Sequence, residues 1–331
     1  MTPQAVWPCD MHTHTTRSDG HDTPEELIEH AIEAGLYALG LCDHDTVPPE
    51  SILLTDGRTV EFVPWARERG LIVVPGCEYS CDTLVDDVHI CGYGLDWRHA
   101  DVLAEQKAAQ ASKSNAYREL VERLAAAGMD VDWERDLLHY KTSDGADAVR
   151  TADEVQRKHI FELLAARGYF PSWSEAKKAV QGNSEWNVRR RKIDPVAAIH
   201  MIHRAGGLAV LAHPYLIAET VRTRVDGREV SEMTRADYID ILLQAGLDGM
   251  EANYTYDKTT WTGVGRPEDV AAEIRARYSG RVKFISGGSD YHADYRTKAV
   301  KQRFLGERGI SRDDFLGSFG KLITIEKKDA R

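Results

Sequence analysis

No stretch of this chain approaches the roughly 18 consecutive apolar residues that cross a bilayer, and Met1 to Asp10 lacks the basic flank and apolar run of a secretory leader. A cytoplasmic protein without a membrane partner is therefore expected. Cysteine is scarce and odd in number. Cys9, Cys42, Cys77, Cys81 and Cys91 lie in or beside apolar segments, which disfavours a disulfide framework and reads as reduced packing residues. Cys77 and Cys81 have no second pair to complete a zinc knuckle. Positive charge is also in short supply. A net charge of -11 argues against a broad electrostatic footprint for duplex DNA, yet leaves small anionic substrates open, because bound metals reverse a local field. Ala205-Gly206-Gly207 and Gly287-Gly288 lack the spacing of dinucleotide or P-loop motifs, and no Ser-His-Asp set competes with them. Internal repeats and low-complexity tracts are missing as well.

What is present is a series of short apolar runs separated by helical patterns. Nearly every run leads to or contains a residue that binds metals. Val6 to Met11 runs into His12, Ala38 to Cys42 into Asp43 and His44, and Leu71 to Val74 toward Glu78; Val88 to Cys91 contains His89. Leu208 to Ala212 meets His213, Gly249-Met250 meets Glu251, and Val282 to Ile285 leads to Asp290 and His292. Pro24 to Ala34 repeats Leu27, Ile28, Ala31 and Ile32 at helical spacing, with Thr23 and Pro24 as a start signal. Strands alternating with helices predict a parallel sheet in an α/β fold, and polar residues past strand C-termini are where a (β/α) barrel keeps its active site.

At 331 residues and 42% hydrophobic composition, one main domain with room for an insertion is expected. The barrel is assigned to residues 1–94 and 195–331. The intervening 95–194 has helical patterns (Asp101 to Ala127, Ala152 to Arg167, Ser174 to Val180) and no convincing buried strand, which reads as an inserted helical subdomain for substrate. Arg222 to Arg235 reads as a surface excursion, and Lys327 to Arg331 as a frayed tail.

The strongest local signal is Asp10-Met11-His12-Thr13-His14 with Arg17 and Asp19 close behind. Two histidines separated by one residue at the end of an extended strand point to the same side and reach one ion. Similar clusters recur in Asp43-His44-Asp45, at Glu78, at His89, in Ala212-His213-Pro214 and in Ser289-Asp290-Tyr291-His292. A core or capping histidine accounts for any one of these, but packing is a poor explanation for the whole set. The joint reading is a site for two or three metals. Mixed nitrogen and oxygen donors suit manganese, iron or zinc rather than calcium.

In this order, these residues resemble the PHP (polymerase and histidinol phosphatase) family of metal-dependent phosphoesterases, in particular its nucleotide phosphatase and exoribonuclease branch. The resemblance implies a distorted seven-stranded (β/α) TIM-like barrel with a trinuclear centre. It assigns His12, His14 and Asp290 to a first ion and makes Glu78 a bridge to a second, completed by His89 and His213. Asp19, His44 and His292 hold a third, where many relatives have histidine in place of Asp19. Asp43 and Asp45 would orient imidazoles, although for Asp43 capping of a turn is an equal alternative. Glu251 reads as structural or ligand-orienting, because Ala252-Asn253-Tyr254-Thr255-Tyr256 departs from the family's usual pattern.

Paired metals hold a bridging hydroxide and clamp the attacking and leaving oxygens of an in-line displacement, so phosphoester hydrolysis is the expected reaction. Arg157 and His159 align with an Arg-x-His stretch that relatives present to substrate phosphate, and Arg17 is a lower-ranked candidate for that task. Arg189-Arg190-Arg191-Lys192 reads as a linker before a phosphate contact, and Trp173 and Trp186 as core residues or stacking platforms. The expected substrate is a nucleotide, first a 3',5'-bisphosphate losing its 3'-phosphate, or the 5' end of a short single-stranded RNA. Two alternatives stand beside it: a histidinol-phosphate-type monoesterase, and a metal-binding regulatory module without catalysis.

Overall fold

The computed structural model describes residues 3–81, 88–141, 145–225, 228–259, 261–297 and 300–323. Seven apolar runs become the strands of one sheet: β1 (Cys9–Thr13), β2 (Ala38–Leu41), β3 (Ile72–Ser80), β4 (His89–Tyr93), β5 (Leu208–Leu211), β6 (Gly249–Asn253) and β7 (Phe284–Gly287). They lie side by side in chain order. A parallel bridge between Thr13 and Tyr291 brings the far edge back to β1, giving a nearly closed, distorted barrel of seven strands. Gly288 makes that return possible: a Cβ there would lie 2.4 Å from His12 Cβ and 2.5 Å from its backbone nitrogen.

The expectation of a parallel sheet is corrected at one strand. β4 runs antiparallel to both β3 and β5. Only eight residues separate Ser80 from His89, whereas a parallel neighbour needs a crossover of a dozen or more. The reversal has a chemical consequence. His89, the first residue of β4, pairs with Ser80, the last residue of β3, so it reaches the same end of the barrel as residues that follow parallel strands. β3 is also longer than its apolar run, so Glu78 sits inside the strand opposite Cys91.

The helices are α1 (Pro24–Glu33), α2 (Phe62–Glu68), α3 (Ala100–Ala126), α4 (Arg157–Ala166), α5 (Trp173–Gly182), α6 (Pro195–Arg204), α7 (Arg235–Gln244), α8 (Pro267–Tyr278) and α9 (Arg312–Ser318). α1 starts as its sequence requires: Glu26 N donates to Thr23 Oγ1 at 3.2 Å, while Thr23 N donates to Glu26 Oε2 at 2.8 Å. Such a cap contributes about 1 kcal/mol. Leu27, Ile28 and Ala31 then pack with Leu39, Leu41 and Val73 of the sheet. On the other side Ile199, Ile202, Ile239, Leu242 and Ile274 of α6, α7 and α8 cover Ile90, Leu211 and Met250. All five cysteines are buried, and none of them forms a disulfide.

The chain divides into two compact units, Met1–Ala104 with Ile193–Arg331, and Glu105–Lys192. The second has its own core of Leu120, Leu124, Trp133, Ile160, Phe161, Leu164 and Val180. It also contains a short hairpin, His139–Lys141 with Asp147–Val149, and a π-helical turn at Trp133–Leu138. α4 begins at Arg157 rather than Ala152, because Thr151 closes a separate turn by donating to Glu154 Oε2 from its nitrogen at 2.7 Å and its hydroxyl at 2.8 Å. In the first unit, the excursion near Arg222 is a hairpin of Thr220–Val225 with Arg228–Thr234. The tail Lys327 to Arg331 lies outside the described residues. Among the described residues, no helix is long and apolar enough to cross a membrane.

Candidate metal centre

The floor of the site is laid by β1. Asp10 is fully buried and accepts from Ser289 N at 2.9 Å and Gly306 N at 2.8 Å, which ties β1 to the segment following β7. Burial pushes its carboxyl up to about 6 against these bonds. Two residues on, His12 Nδ1 donates to Glu251 Oε1 at 2.9 Å, and Glu251 Oε2 accepts from His213 N at 2.8 Å. Glu251 thereby fixes one ring by its side chain and another through its backbone, and leaves His12 Nε2 facing the interior.

Glu78 divides the cluster between its two oxygens. Oε2 lies 3.1 Å from His12 Nε2, 3.2 Å from His14 Nε2 and 3.3 Å from His44 Nδ1. Oε1 lies 2.7 Å from His89 Nδ1 and 3.0 Å from His213 Nε2. Toward the rim, His292 Nε2 is 3.1 Å from Asp19 Oδ1, and His44 Nε2 is 3.8 Å from Asp19 Oδ2. Three overlapping groups bring their ligand atoms within 4.8 Å: His12, His14, Glu78 and Asp290; His44, Glu78 and His89; His14, Asp19, His44 and His292. All nine sequence-predicted ligands thus lie at one end of the barrel.

The donor set fits divalent cations on a physical test. His12 Nε2, His14 Nε2, His213 Nδ1 and Glu78 Oε2 are buried and make no hydrogen bond, an arrangement that is costly unless something else satisfies the atoms. Burial opposes charging of the rings, yet Glu251 and Glu78 raise His12 well above the ordinary imidazole range, and Asp290 and Glu78 raise His14 to about 10. Burial likewise opposes ionisation of Glu78, but His12, His44 and His89 hold it well below the usual carboxylate range. A field that draws protons onto buried imidazoles also draws metal cations. His213 and Asp290 have left-handed backbone, with φ of 30° and 54°. Such strain is worth roughly 1–3 kcal/mol per residue and concentrates at functional sites.

Of the two roles that the sequence left open for Asp43, the structure shows the turn cap. Asp43 accepts from Thr15 N at 2.8 Å, Thr15 Oγ1 at 2.7 Å and Ser18 Oγ at 2.6 Å, so it caps the turn after β1. Asp45 accepts from Ser80 N at 2.9 Å. Arg17 is exposed, and its guanidinium donates to Val47 O at 3.1 Å. Arg157 and His159 belong to the second unit, in the first turn of α4. Arg157 Nη2 donates to Asn187 Oδ1 at 2.8 Å, while its Nε is buried without a hydrogen bond. His159 Nδ1 accepts from Gln156 N at 3.0 Å, which leaves the ring proton on Nε2. Burial, with Arg150, Lys158 and Lys113 nearby, pushes His159 down to about 3. In the same unit, Arg191 pairs with both oxygens of Glu105 at 2.9 Å, and Trp186 packs on the core.

Three supporting residues carried no sequence signal. Asp22 is buried and accepts from Tyr291 OH at 2.7 Å, Tyr295 OH at 2.8 Å and Arg296 Nε at 2.8 Å, with His30 Nδ1 also at 2.7 Å. Tyr254 OH and Arg303 Nη1 both donate to Asp290 Oδ2, at 2.7 and 2.8 Å. A lone aspartate in a turn, or an arginine 13 residues past a ligand, has no spacing that marks it in advance.

Comparison with known proteins matches the PHP domain to residues 10–186, more than half of the chain. That span carries His12, His14, Asp19, His44, Glu78 and His89, while His213, Asp290 and His292 lie beyond it. A 5'-3' exoribonuclease of Haemophilus influenzae is 30% identical over 244 residues, covering 73% of this chain and 77% of that protein. A phosphoribosyl 1,2-cyclic phosphate 1,2-diphosphodiesterase of Eggerthella lenta is 28% identical, covering 86% and 94%. A 3',5'-nucleoside bisphosphate phosphatase of Chromobacterium violaceum is 28% identical, covering 62% and 66%. The solved structure of a proposed metal-dependent phosphoesterase from Bifidobacterium adolescentis shares the fold, with a TM-score of 0.65 at 24% identity over 97% of this chain and 98% of that one. The chain belongs to the PHP domain family and is a metal-dependent hydrolase of phosphate esters.

Proposed function

We propose that His12, His14, Asp19, His44, Glu78, His89, His213, Asp290 and His292 hold two or three divalent ions, of manganese, iron or zinc, and that the protein hydrolyses a nucleotide phosphate ester in the cytoplasm. The substrate is a 3',5'-bisphosphate nucleotide or the 5' end of a short single-stranded RNA. The observation that carries the reading is Glu78. One buried carboxylate with two imidazoles at Oε1 and three at Oε2 is the arrangement a bridging ligand needs. Divalent ions bound there supply a nucleophile at neutral pH and neutralise charge on the phosphoryl oxygens.

The chain's own residues do the rest. Glu251 holds His12 in the tautomer that presents Nε2. Arg157 and His159, with Arg17, recognise phosphate: the buried Nε of Arg157 lacks a partner, and the neutral His159 ring keeps a donor at Nε2. The nucleotide reading is favoured by the exoribonuclease and bisphosphate phosphatase relatives over histidinol phosphate. The relative from Eggerthella lenta, which spans more of the chain, adds a cyclic phosphodiester as the second reading.

Protein replete with Mn2+ and assayed on a panel tests this. The panel contains a 3',5'-bisphosphate nucleotide, a 5'-phosphorylated RNA oligomer, histidinol phosphate and a five-membered cyclic phosphodiester. Turnover of either of the first two, lost in His14→Ala and with KM raised about tenfold or more in Arg157→Ala, is expected. Activity that survives His14→Ala sinks the metal assignment. Preference for histidinol phosphate or the cyclic ester sinks the substrate.

A further inference from the structure

Asp290 is held by side chains outside the proposed ligand set. Beyond its bonds from Tyr254 and Arg303, the guanidinium itself is fixed. Arg303 Nε and N donate to Asp294 Oδ2 at 2.8 and 3.0 Å, and Nη2 donates to Asp294 Oδ1 at 3.1 Å. Its side chain is only 16% exposed. The guanidinium, its charge shared between Asp294 and Asp290, brings Asp290 both a positive charge and a directed hydrogen bond. Both donors converge on Oδ2. Oδ1 is left facing His14 Nε2 at 3.1 Å, His292 Nδ1 at 3.5 Å and His12 Nε2 at 3.7 Å.

We propose that Arg303, assisted by Tyr254, is a positioning residue that restricts Asp290 to a single coordinating oxygen and so holds the ion shared with His12 and His14. The inference rests on the metal assignment made above. A carboxylate free to turn about its Cβ–Cγ bond offers an ion one oxygen, both or neither. Two donors fixed to Oδ2 remove that freedom before any ion arrives, so the geometry is prepared by residues that never touch the metal. Asp294 belongs to the same device, since without it the guanidinium is neither aimed nor neutralised. Tyr254 has a second anchor: its ring lies 5.1 Å from that of His213 and 4.9 Å from that of Tyr256.

The test is Mn2+ titration by calorimetry, with elemental analysis after dialysis, on the full chain first stripped by a chelator. In Arg303→Gln, one Mn2+ equivalent is expected to bind about 10- to 100-fold more weakly, while the remaining equivalents keep wild-type affinity. Arg303→Lys restores part of the loss, because an ammonium reaches Asp290 without forking onto Asp294. Tyr254→Phe, which removes only a hydroxyl and keeps the experiment decisive if Arg303→Gln does not fold, weakens the same equivalent by a few-fold. The double variant loses no more than Asp290→Asn, since both donors act through one carboxylate. Wild-type Mn2+ binding in Arg303→Gln and Tyr254→Phe, with one equivalent lost in Asp290→Asn, overturns the proposal and leaves the metal assignment standing. Unchanged binding in Asp290→Asn overturns both.

Discussion

His12 and Asp19 both face the same cluster, but the protein stands behind them differently. His12 is fully buried, its Nδ1 is held by Glu251, and Glu251 is in turn tied to the backbone of His213. Asp19 has a side chain that is 45% exposed, and the groups near it are the imidazoles of His292 at 3.1 Å and of His14 and His44 at 3.8 Å, with a long bond from Ser18 Oγ at 3.4 Å. The floor of the site, made by His12, His14, Glu78 and Asp290, is therefore organised by buried neighbours before any ion is present. At the rim, alignment depends more on what is bound. If these residues hold ions as proposed, the expected outcome is that the floor retains its metal through dialysis while the rim exchanges its ion more freely.

Glu78→Gln is the largest break in that comparison. Removing the charge that serves five imidazoles should lower kcat/KM by about 1,000-fold or more, ~4 kcal/mol of transition-state stabilisation, and strip the floor of metal on elemental analysis. Glu251→Gln, which keeps the shape but not the charge behind His12, should weaken floor metal binding by about 10- to 100-fold. Asp19→Asn should reduce activity by only about tenfold and abolish the weakest Mn2+ equivalent while sparing the others. If it instead matches Glu78→Gln, the distinction between floor and rim is wrong.

The smallest effect concerns the clamp that joins the loops after β1 and β7. The hydrogen bond that His30 donates to Asp22 raises the imidazole above its ordinary value, and burial opposes this. The contribution is fully present below the unfolded imidazole pKa of about 6.5 and is lost as pH rises through the folded value. Burial opposes ionisation of Asp22 too, but His30, Tyr291 and Tyr295 lower it, so its share is lost as pH falls through that lowered carboxyl value. The melting temperature of His30→Gln should fall below wild type near pH 6 and approach it by pH 9. With His30 23% exposed on its side chain, the difference is worth roughly 1 kcal/mol or less. A gap that widens with rising pH would contradict the pairing.

Much of this architecture was legible in the chain. His12-Thr13-His14 announced a strand end with two imidazoles on one side, since side chains two apart on extended backbone point the same way. Thr23, Pro24 and Glu26 marked the start of α1 because capping is local chemistry. The direction of β4 escaped the reading of residues 88–93, since apolar alternation is the same in either direction and only connection length and pairing reveal it. Asp43 was open between two roles that differ by which neighbour comes within 3 Å, and folding chose the turn.

The sequence by itself determined which residue types could bind metal, that they recur at strand ends, and where the helices begin. Those properties follow from local geometry and donor chemistry. Only the tertiary structure decided how Glu78 shares its two oxygens, that His89 arrives from a reversed strand, and that Tyr254 and Arg303 meet at one oxygen of Asp290. Each of these depends on segments 11 to 135 residues apart being brought together by the closing sheet, and no spacing in the chain encodes that distance.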